Sequence, residues 1–347
     1  MNPLLSRRVV LAKRPEGPIQ HHDFKFVSTT ITDVPDDHVV LKVIYIQIAP
    51  AARAVMTSTT GFDQTNVGDG ILCAVVGDVV VTCAGGPALG SSVMSYGFWE
   101  EYSVVPMAQA LPVVAGHPLI HNLGVLGLNG LTAYYGMIRI GGPQPGETVV
   151  ISAAAGGVGH LAGQIAHHAG ARVVGITGSD DKNRRLENEF NFTHTVNHRH
   201  PNFHEDLRAA CGPSGVAVYF DNIAGDVLTS MLPLMRPHGR IVCCGATAQY
   251  DQKDDNLVQP GPRGIPQYLI NKSLRLEGFL TADYAHEWAQ GRNQLSDWLT
   301  DGTIRSATQT WHGLESAPDA LLAVLAGENF GQAVVQLPHS GPSGITL

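Results

Sequence analysis

Short runs of aliphatic and β-branched residues dominate the first third of the chain, whereas the middle alternates such runs with stretches whose apolar positions recur every three or four residues. In the first part Val39–Ile46, Ile71–Val76, Asp78–Thr82 and Glu101–Val105 read as strands, set apart by Pro, Gly and Asp. No long helical pattern lies between them, so a compact β-rich unit is expected, with the small, polar stretch Gly85–Ser95 as a mobile loop. Trp99 and Tyr102 are expected to pack this unit. From Leu119 the composition shifts to helix formers, Leu123–Met137 is rich in small residues, and Pro143–Gly146 is a turn. Strand and helix then alternate. Thr148–Ile151 leads into a helix with Leu161, Ile165 and Ala169 on one face, followed by the strand Arg172–Thr177 and a short run ending at Val196. A helix over Phe203–Ala210, a strand over Val216–Asn222, a helix over Val227–Met235 and a strand over Arg240–Gly245 complete the pattern. Alternation at this spacing predicts a doubly wound parallel sheet, which binds ligands at the carboxyl ends of its strands. Asp251–Pro266 reads as a surface excursion, Ser273–Leu280 as a strand and Ala285–Leu299 as a helix. The amphipathic stretch Leu314–Leu325 and the strand Gln332–Leu337 are expected to return to the first unit.

With 347 residues, 44% of them hydrophobic, the chain can bury a large core and is long enough for two domains. Its formal net charge of −8 argues against a nucleic-acid partner or an anionic membrane surface. No run approaches the roughly 18 apolar residues of a membrane span, and the first residues show no leader pattern. A cytoplasmic location is the resulting expectation. Five cysteines without C-x-x-C spacing indicate buried free thiols, with neither a disulfide framework nor a metal site.

The chemistry concentrates in Ser152-Ala153-Ala154-Ala155-Gly156-Gly157-Val158-Gly159, a small-residue turn between a strand and a helix. Such a turn lets the backbone approach a dinucleotide's diphosphate at the amide end of the helix, which makes Gly156, Gly157, Val158 and Gly159 candidate cofactor ligands. At the tip of the next strand an NAD site usually carries a carboxylate. Here Gly178-Ser179 stands there, with Lys182 and Arg184 or Arg185 just beyond. Hydroxyl plus cation suits a 2′-phosphate, so NADPH is expected over NADH. Asp221-Asn222 and Gly245–Tyr250 fall at further strand ends. His160 and the pair His167-His168 are read as solvated helix-surface residues.

Several stretches in order resemble the zinc-free branch of the medium-chain dehydrogenase/reductase superfamily, the alkenal, enone and prostaglandin reductases. They are Gly130-Leu131-Thr132-Ala133-Tyr134, Ser152–Gly159, Gly175–Lys182, Tyr219–Asn222, Cys244–Tyr250, Arg275–Phe279 and Asn329-Phe330-Gly331. The resemblance covers most of the chain from Leu123 onward. It implies a GroES-like β-rich domain formed by both chain ends, 1–125 and 311–347, around a Rossmann domain at 126–310. It implies diphosphate contacts from Gly157, Val158 and Gly159, a 2′-phosphate grip from Lys182, and a homodimer. Asn222, Cys244, Gly245 and Tyr250 would line the cofactor and substrate side, and Phe279 and Asn329 would approach the nicotinamide half. The chain departs from the family's pattern in three places. Asn197-His198-Arg199 stands for Asn-Tyr-Lys, with His198 able to donate a hydrogen bond or stack. Ile48-Ala49-Pro50-Ala51-Ala52-Arg53 lacks a carboxylate. A family tyrosine falls near Asn271, with Tyr268 displaced by one turn.

The Gly-His-Glu signature of zinc-dependent relatives is absent. An activated double bond carries its own electron sink, so the expected reaction is reduction of the C=C bond of an α,β-unsaturated carbonyl by NADPH, with hydride to the β-carbon. Tyr250 is the candidate proton donor. A quinone reductase, a tailoring oxidoreductase acting on one specialised metabolite, and a non-catalytic NADPH-binding protein remain open.

Overall fold

The protein's structure, a computed structural model, describes residues 3–57, 64–250 and 264–339. Seven strands come before residue 113: β1 (Leu4–Leu11), β2 (Phe24–Ile31), β3 (His38–Ile48), β4 (Leu72–Val81), β5 (Ser92–Phe98), β6 (Tyr102–Pro106) and β7 (Leu111–Pro112), with one helix, α1 (Ala51–Thr57). The two expected runs from Ile71 to Thr82 form the single strand β4, and β5 begins inside the stretch expected to be a loop. That loop shrinks to the turn between them, closed by the Gly90 N–H donating to the Val79 carbonyl at 2.8 Å. β1 and β2 escape an apolar-run reading because polar and charged residues interrupt their apolar positions. Arg7 bonds Glu101, and Arg8 pairs with Glu100, at 2.7 and 2.5 Å. Trp99 is buried here and stacks on Phe24 with ring centroids 5.6 Å apart.

The middle of the chain builds a six-stranded parallel sheet from β8 (Thr148–Ile151), β9 (Arg172–Thr177), β10 (His194–Asn197), β11 (Val216–Asp221), β12 (Met235–Cys243) and β13 (Arg275–Gly278). Its spatial order is β10-β9-β8-β11-β12-β13. Every residue of β8 and β11 is buried, the continuous apolar signature of central parallel strands covered on both faces. The covering helices are α2 (Leu128–Tyr135), α3 (Gly159–His168), α4 (Asp180–Glu189), α5 (Phe203–Cys211), α6 (Gly225–Met231), α7 (Ile265–Lys272) and α8 (Trp288–Thr300). The expected helix Val227–Met235 stops at Met231 because Pro233 sits in a 3-10 turn there, and Met235 already belongs to β12. Most of the excursion Asp251–Pro266 lies outside the described residues; its last two positions open α7.

The chain then returns. β14 (Thr308–His312), α9 (Ala317–Leu325) and β15 (Gln332–Gln336) follow, and β15 pairs antiparallel with β3. The resulting sheet runs β14-β15-β3-β4-β5-β7 with β6 also on β3, so both chain ends share one GroES-like unit beside the Rossmann sheet. β14 spans the expected 310/311 boundary. All five cysteines are free, but only Cys211 is fully buried. Among the described residues no helix is long and apolar enough to cross a membrane.

Candidate active site

The strand order reverses between β8 and β11, and the loops leaving these strands are tied together at that point. Asp221 Oδ1 accepts from the Ser152 hydroxyl (3.2 Å), the Tyr219 hydroxyl (2.8 Å) and the Ile223 and Ala224 N–H groups (3.0 and 2.9 Å). The Asn222 N–H donates to Ser152 Oγ at 2.9 Å and its Nδ2 to the Ser152 carbonyl at 2.7 Å. Burial pushes the Asp221 carboxyl up, and burial and then Asp221 push the Tyr219 phenol up. A buried acceptor saturated in this way fixes where the backbone after each strand goes.

The turn after β8 requires its glycines. A Cβ on Gly159 would sit 2.4 Å from the Ala153 carbonyl oxygen and 2.8 Å from Ala154 Cα, both backbone atoms that cannot move aside. The Gly157 N–H is directed to the Gly331 carbonyl in a parallel bridge between Gly156 and Gly331, while among the described residues the N–H groups of Val158 and Gly159 have no acceptor and form a donor cradle at the start of α3.

This cradle forms one side of a cleft of about 520 Å³ between the two sheets. Of the expected residues, Gly156, Gly157, Val158, Gly159, Lys182, His198, Asn222, Cys244, Gly245, Tyr250 and Asn329 all line it. Ser179 and Phe279 do not. Ser179 caps α4 in a closed turn, its N–H donating to Thr177 Oγ1 at 3.2 Å and its carbonyl accepting from the same hydroxyl at 3.0 Å. Phe279 packs behind α2, where a Cβ on Gly136 would meet its ring at 2.8 Å. Tyr268 and Asn271, on α7, are also absent from the lining.

At the β9 end of the cleft Lys182, His198 and Arg199 converge, and among the described residues that line it there is no carboxylate. Lys182 Nζ donates to the Gly327 and Asn329 carbonyls at 2.5 and 2.6 Å, and burial, then Arg199, hold its pKa down. The Arg199 guanidinium reaches the Ala326 carbonyl at 3.3 Å. Burial and Arg199 likewise hold His198 below the usual histidine value. Arg184 pairs with Asp181, while Arg185 pairs with Glu189 and lies 3.8 Å over the Phe330 ring, so neither faces the cleft. Arg199 takes the place expected of them. Its signal was the cationic third position of Asn197-His198-Arg199.

Opposite, Ile48, Ala49, Pro50 and Ala51 make an uncharged wall, and Tyr250 closes a short 3-10 turn over Thr247–Gln249. Burial raises the Tyr250 phenol and drives the adjacent Cys244 thiol to about 12, so both hold their protons at neutral pH. Asn129, Thr132 and Gln332 also line the cleft and were not singled out from the sequence. Amides and hydroxyls among small and apolar neighbours leave no periodic signature.

His160 corrects an expectation. It is buried, its Nδ1 bonding the Gly156 carbonyl at 2.7 Å and its Nε2 accepting from the Ala307 N–H at 3.3 Å. Helical spacing cannot tell the buried face of α3 from the outer one when both carry His, and only His167 and His168 are exposed. Among the described residues no three His, Cys, Asp or Glu side chains come together as a metal-binding set.

Comparison with known proteins gives two family matches. Residues 7–113 match the family described as N-terminal domain of oxidoreductase, and residues 157–297 the one described as zinc-binding dehydrogenase. The chain is 32% identical to the NADPH-dependent curcumin reductase of Escherichia coli (strain K12), over 96% of this chain and 97% of that one. It is 33% identical to the NADP(+)-dependent 2-alkenal reductase of Nicotiana tabacum, over 96% and 97%. Its fold superposes on CurA from Vibrio vulnificus in complex with NADPH with a TM-score of 0.89 at 30% identity, covering 96% of this chain and all of that one (100%).

Proposed function

The chain belongs to the zinc-independent branch of the medium-chain dehydrogenase/reductase superfamily, among its NADPH-dependent enone and alkenal double-bond reductases, and from that premise we propose how its own residues serve this chemistry. Its cofactor is NADPH. The convergence of Lys182, His198 and Arg199, with no carboxylate among the described lining residues, is the observation that carries the reading, because it suits a phosphorylated ribose. The unpaired amides of Val158 and Gly159 suit the diphosphate, with Gly156 and Gly157 shaping the turn that brings it close. Asn222, Cys244, Gly245 and Asn329 wall the cofactor, while Ser179 and Phe279 act from behind by holding α4 and α2.

Bound NADPH supplies a hydride for the β-carbon of an α,β-unsaturated carbonyl compound. Tyr250 keeps its phenolic proton at neutral pH and donates a hydrogen bond to the carbonyl oxygen as negative charge gathers there. The proton that completes reduction reaches the α-carbon from Tyr250 or from a water that it orients. The wall from Ile48 to Ala51 excludes water from this step and favours uncharged substrates.

Mixing the protein with NADPH and a panel of enals, enones, quinones and ketones, while following nicotinamide absorbance, tests the reading. Oxidation with enals and enones is expected. Turnover confined to quinones or to a single specialised acceptor would favour the alternative oxidoreductase readings, and binding without any turnover the non-catalytic one. We also propose a cytoplasmic homodimer. Free cysteines suit a reducing compartment. β13 is the last strand of its sheet, and Ile270, Leu276 and Leu280 near it are exposed. Light scattering of the purified protein checks the dimer.

A further inference from the structure

Three side-chain amides from three elements meet at the floor of the cleft. Gln47 comes from the end of β3, Asn129 from α2 and Gln332 from the start of β15. Gln47 and Gln332 are buried, at 5% and 2% exposure, while Asn129 faces the cleft. Two backbone carbonyls fix the orientation of all three. Gln332 Nε2 donates to the Ala333 carbonyl at 2.7 Å, which leaves Gln332 Oε1 to accept from Asn129 Nδ2. At the other end Gln47 Nε2 donates to the Leu123 carbonyl at 3.1 Å and to Asn129 Oδ1 at 3.4 Å. A carbonyl can only accept, so neither glutamine can turn over, and Asn129 must present Nδ2 toward Gln332 and Oδ1 toward Gln47.

Nδ2 carries two hydrogens, and one goes to Gln332. The second has no acceptor among the described residues. The missing Cβ of Gly157 would lie 2.3 Å from Nδ2 and 3.1 Å from Gln332 Oε1, so the amide rests against the glycine that precedes the unpaired Val158 and Gly159 N–H groups. We propose that Asn129 is a cofactor-binding residue whose Nδ2 donates to the dinucleotide diphosphate beside the Val158 and Gly159 amides, aimed there by Gln47 and Gln332. The inference rests on the NADPH reading above. It also makes Gly157 the space that this amide needs, and it makes two strands of the GroES-like sheet set the donor orientation at the Rossmann turn.

Direct binding to the purified chain tests it, with NADP+ and adenosine 2′-monophosphate as probes. The second probe shares the adenine and the 2′-phosphate but has no diphosphate. In Asn129→Ala the dissociation constant for NADP+ is expected to rise at least about tenfold, as a lost hydrogen bond to a charged group would give. Asn129→Asp, which sets a carboxylate against the diphosphate, is expected to do more. Both variants should bind adenosine 2′-monophosphate within twofold of wild type, which also shows that they fold. Equal weakening of the two probes would make Asn129 merely structural, and an unchanged NADP+ constant would remove it from the site; either overturns the proposal. Failure of the wild-type chain to bind NADP+ would instead overturn the cofactor reading itself, and this assignment with it.

Discussion

His160 Nδ1 donates to the carbonyl oxygen of Gly156 at 2.7 Å, joining the first turn of α3 to the glycine turn that precedes it. The opposite ring nitrogen accepts from the Ala307 N–H, and Gln164, one turn later, exchanges bonds with Arg305 at 3.0 Å (to its carbonyl) and 2.7 Å (from its N–H). The glycine turn is therefore clamped to the segment that leads into β14. Gly331 extends the clamp, its N–H donating to the Ala155 carbonyl at 2.7 Å.

The clamp works only with a neutral ring, since a protonated Nε2 would face the Ala307 N–H donor to donor. Burial, opposed by the Gly156 carbonyl, lowers the His160 pKa from 6.5 to about 4. Between those values the unfolded chain carries a proton that the folded chain refuses, so stability rises with pH across this window. The contribution is complete above pH 6.5 and is lost as pH falls toward 4, about 3 kcal/mol in all. Thermal unfolding of wild type and His160→Asn from pH 4 to 7 checks the sign. The wild-type advantage should be largest at pH 7 and shrink as the solution is acidified.

On the proposed reading, the cationic end of the cleft sets cofactor choice. Removing Lys182 takes away a charge-assisted contact that only a 2′-phosphate can make, so Lys182→Ala should raise the KM for NADPH by about tenfold or more and leave that for NADH nearly unchanged. Arg199→Ala is expected to act in the same direction. Steady-state kinetics with both cofactors decides it, and equal effects on the two would remove the 2′-phosphate assignment.

The Rossmann half was legible because its central strands β8, β9 and β11 are largely apolar runs and its turn is rich in glycine; both signals are local. β1, β5 and β14 were not, since charged, small or polar residues interrupt the apolar positions of each; β1 gains its order from Glu100 and Glu101, and β14 from β15, partners apart in sequence. The site divides in the same way. Residues on the turn and strand ends could be named, whereas Arg199 and the Gln47, Asn129 and Gln332 amides are brought to the cleft only once separate elements converge. Phe279 and Ser179 were near enough in sequence to be placed in the cleft, but the Phe279 ring packs behind it and the Ser179 backbone closes the turn that opens α4.

Tyr250 reports on the chemical step. Burial keeps its hydroxyl protonated, so it can donate to a carbonyl oxygen gaining charge in the transition state. Tyr250→Phe keeps the ring's packing and removes only that donor. Turnover should fall about a hundredfold, the loss typical of one oxyanion donor, with the KM for NADPH unchanged. A phenylalanine variant with normal turnover would reassign the ring to packing.

Gly159 tests the backbone argument. Its absent side chain is what allows the Ala153 carbonyl and Ala154 Cα to lie against the start of α3, at 2.4 and 2.8 Å from where a Cβ would stand. Neither contact can be relieved by turning a side chain, so Gly159→Ala must push α3 away from the end of β8. That shift displaces the Gly157 and Val158 amides and strains the bond from His160 to Gly156. Overpacking of this kind costs about 1–3 kcal/mol, and the lowered melting temperature should come with weaker NADP+ binding. Gly146→Ala supplies the control: that position has a left-handed φ of 79° but open space around it, far from the turn. It should lower stability by a comparable amount while leaving the dissociation constant for NADP+ at the wild-type value. Equal losses of binding in the two variants would mean that binding follows overall stability and not the geometry of the turn.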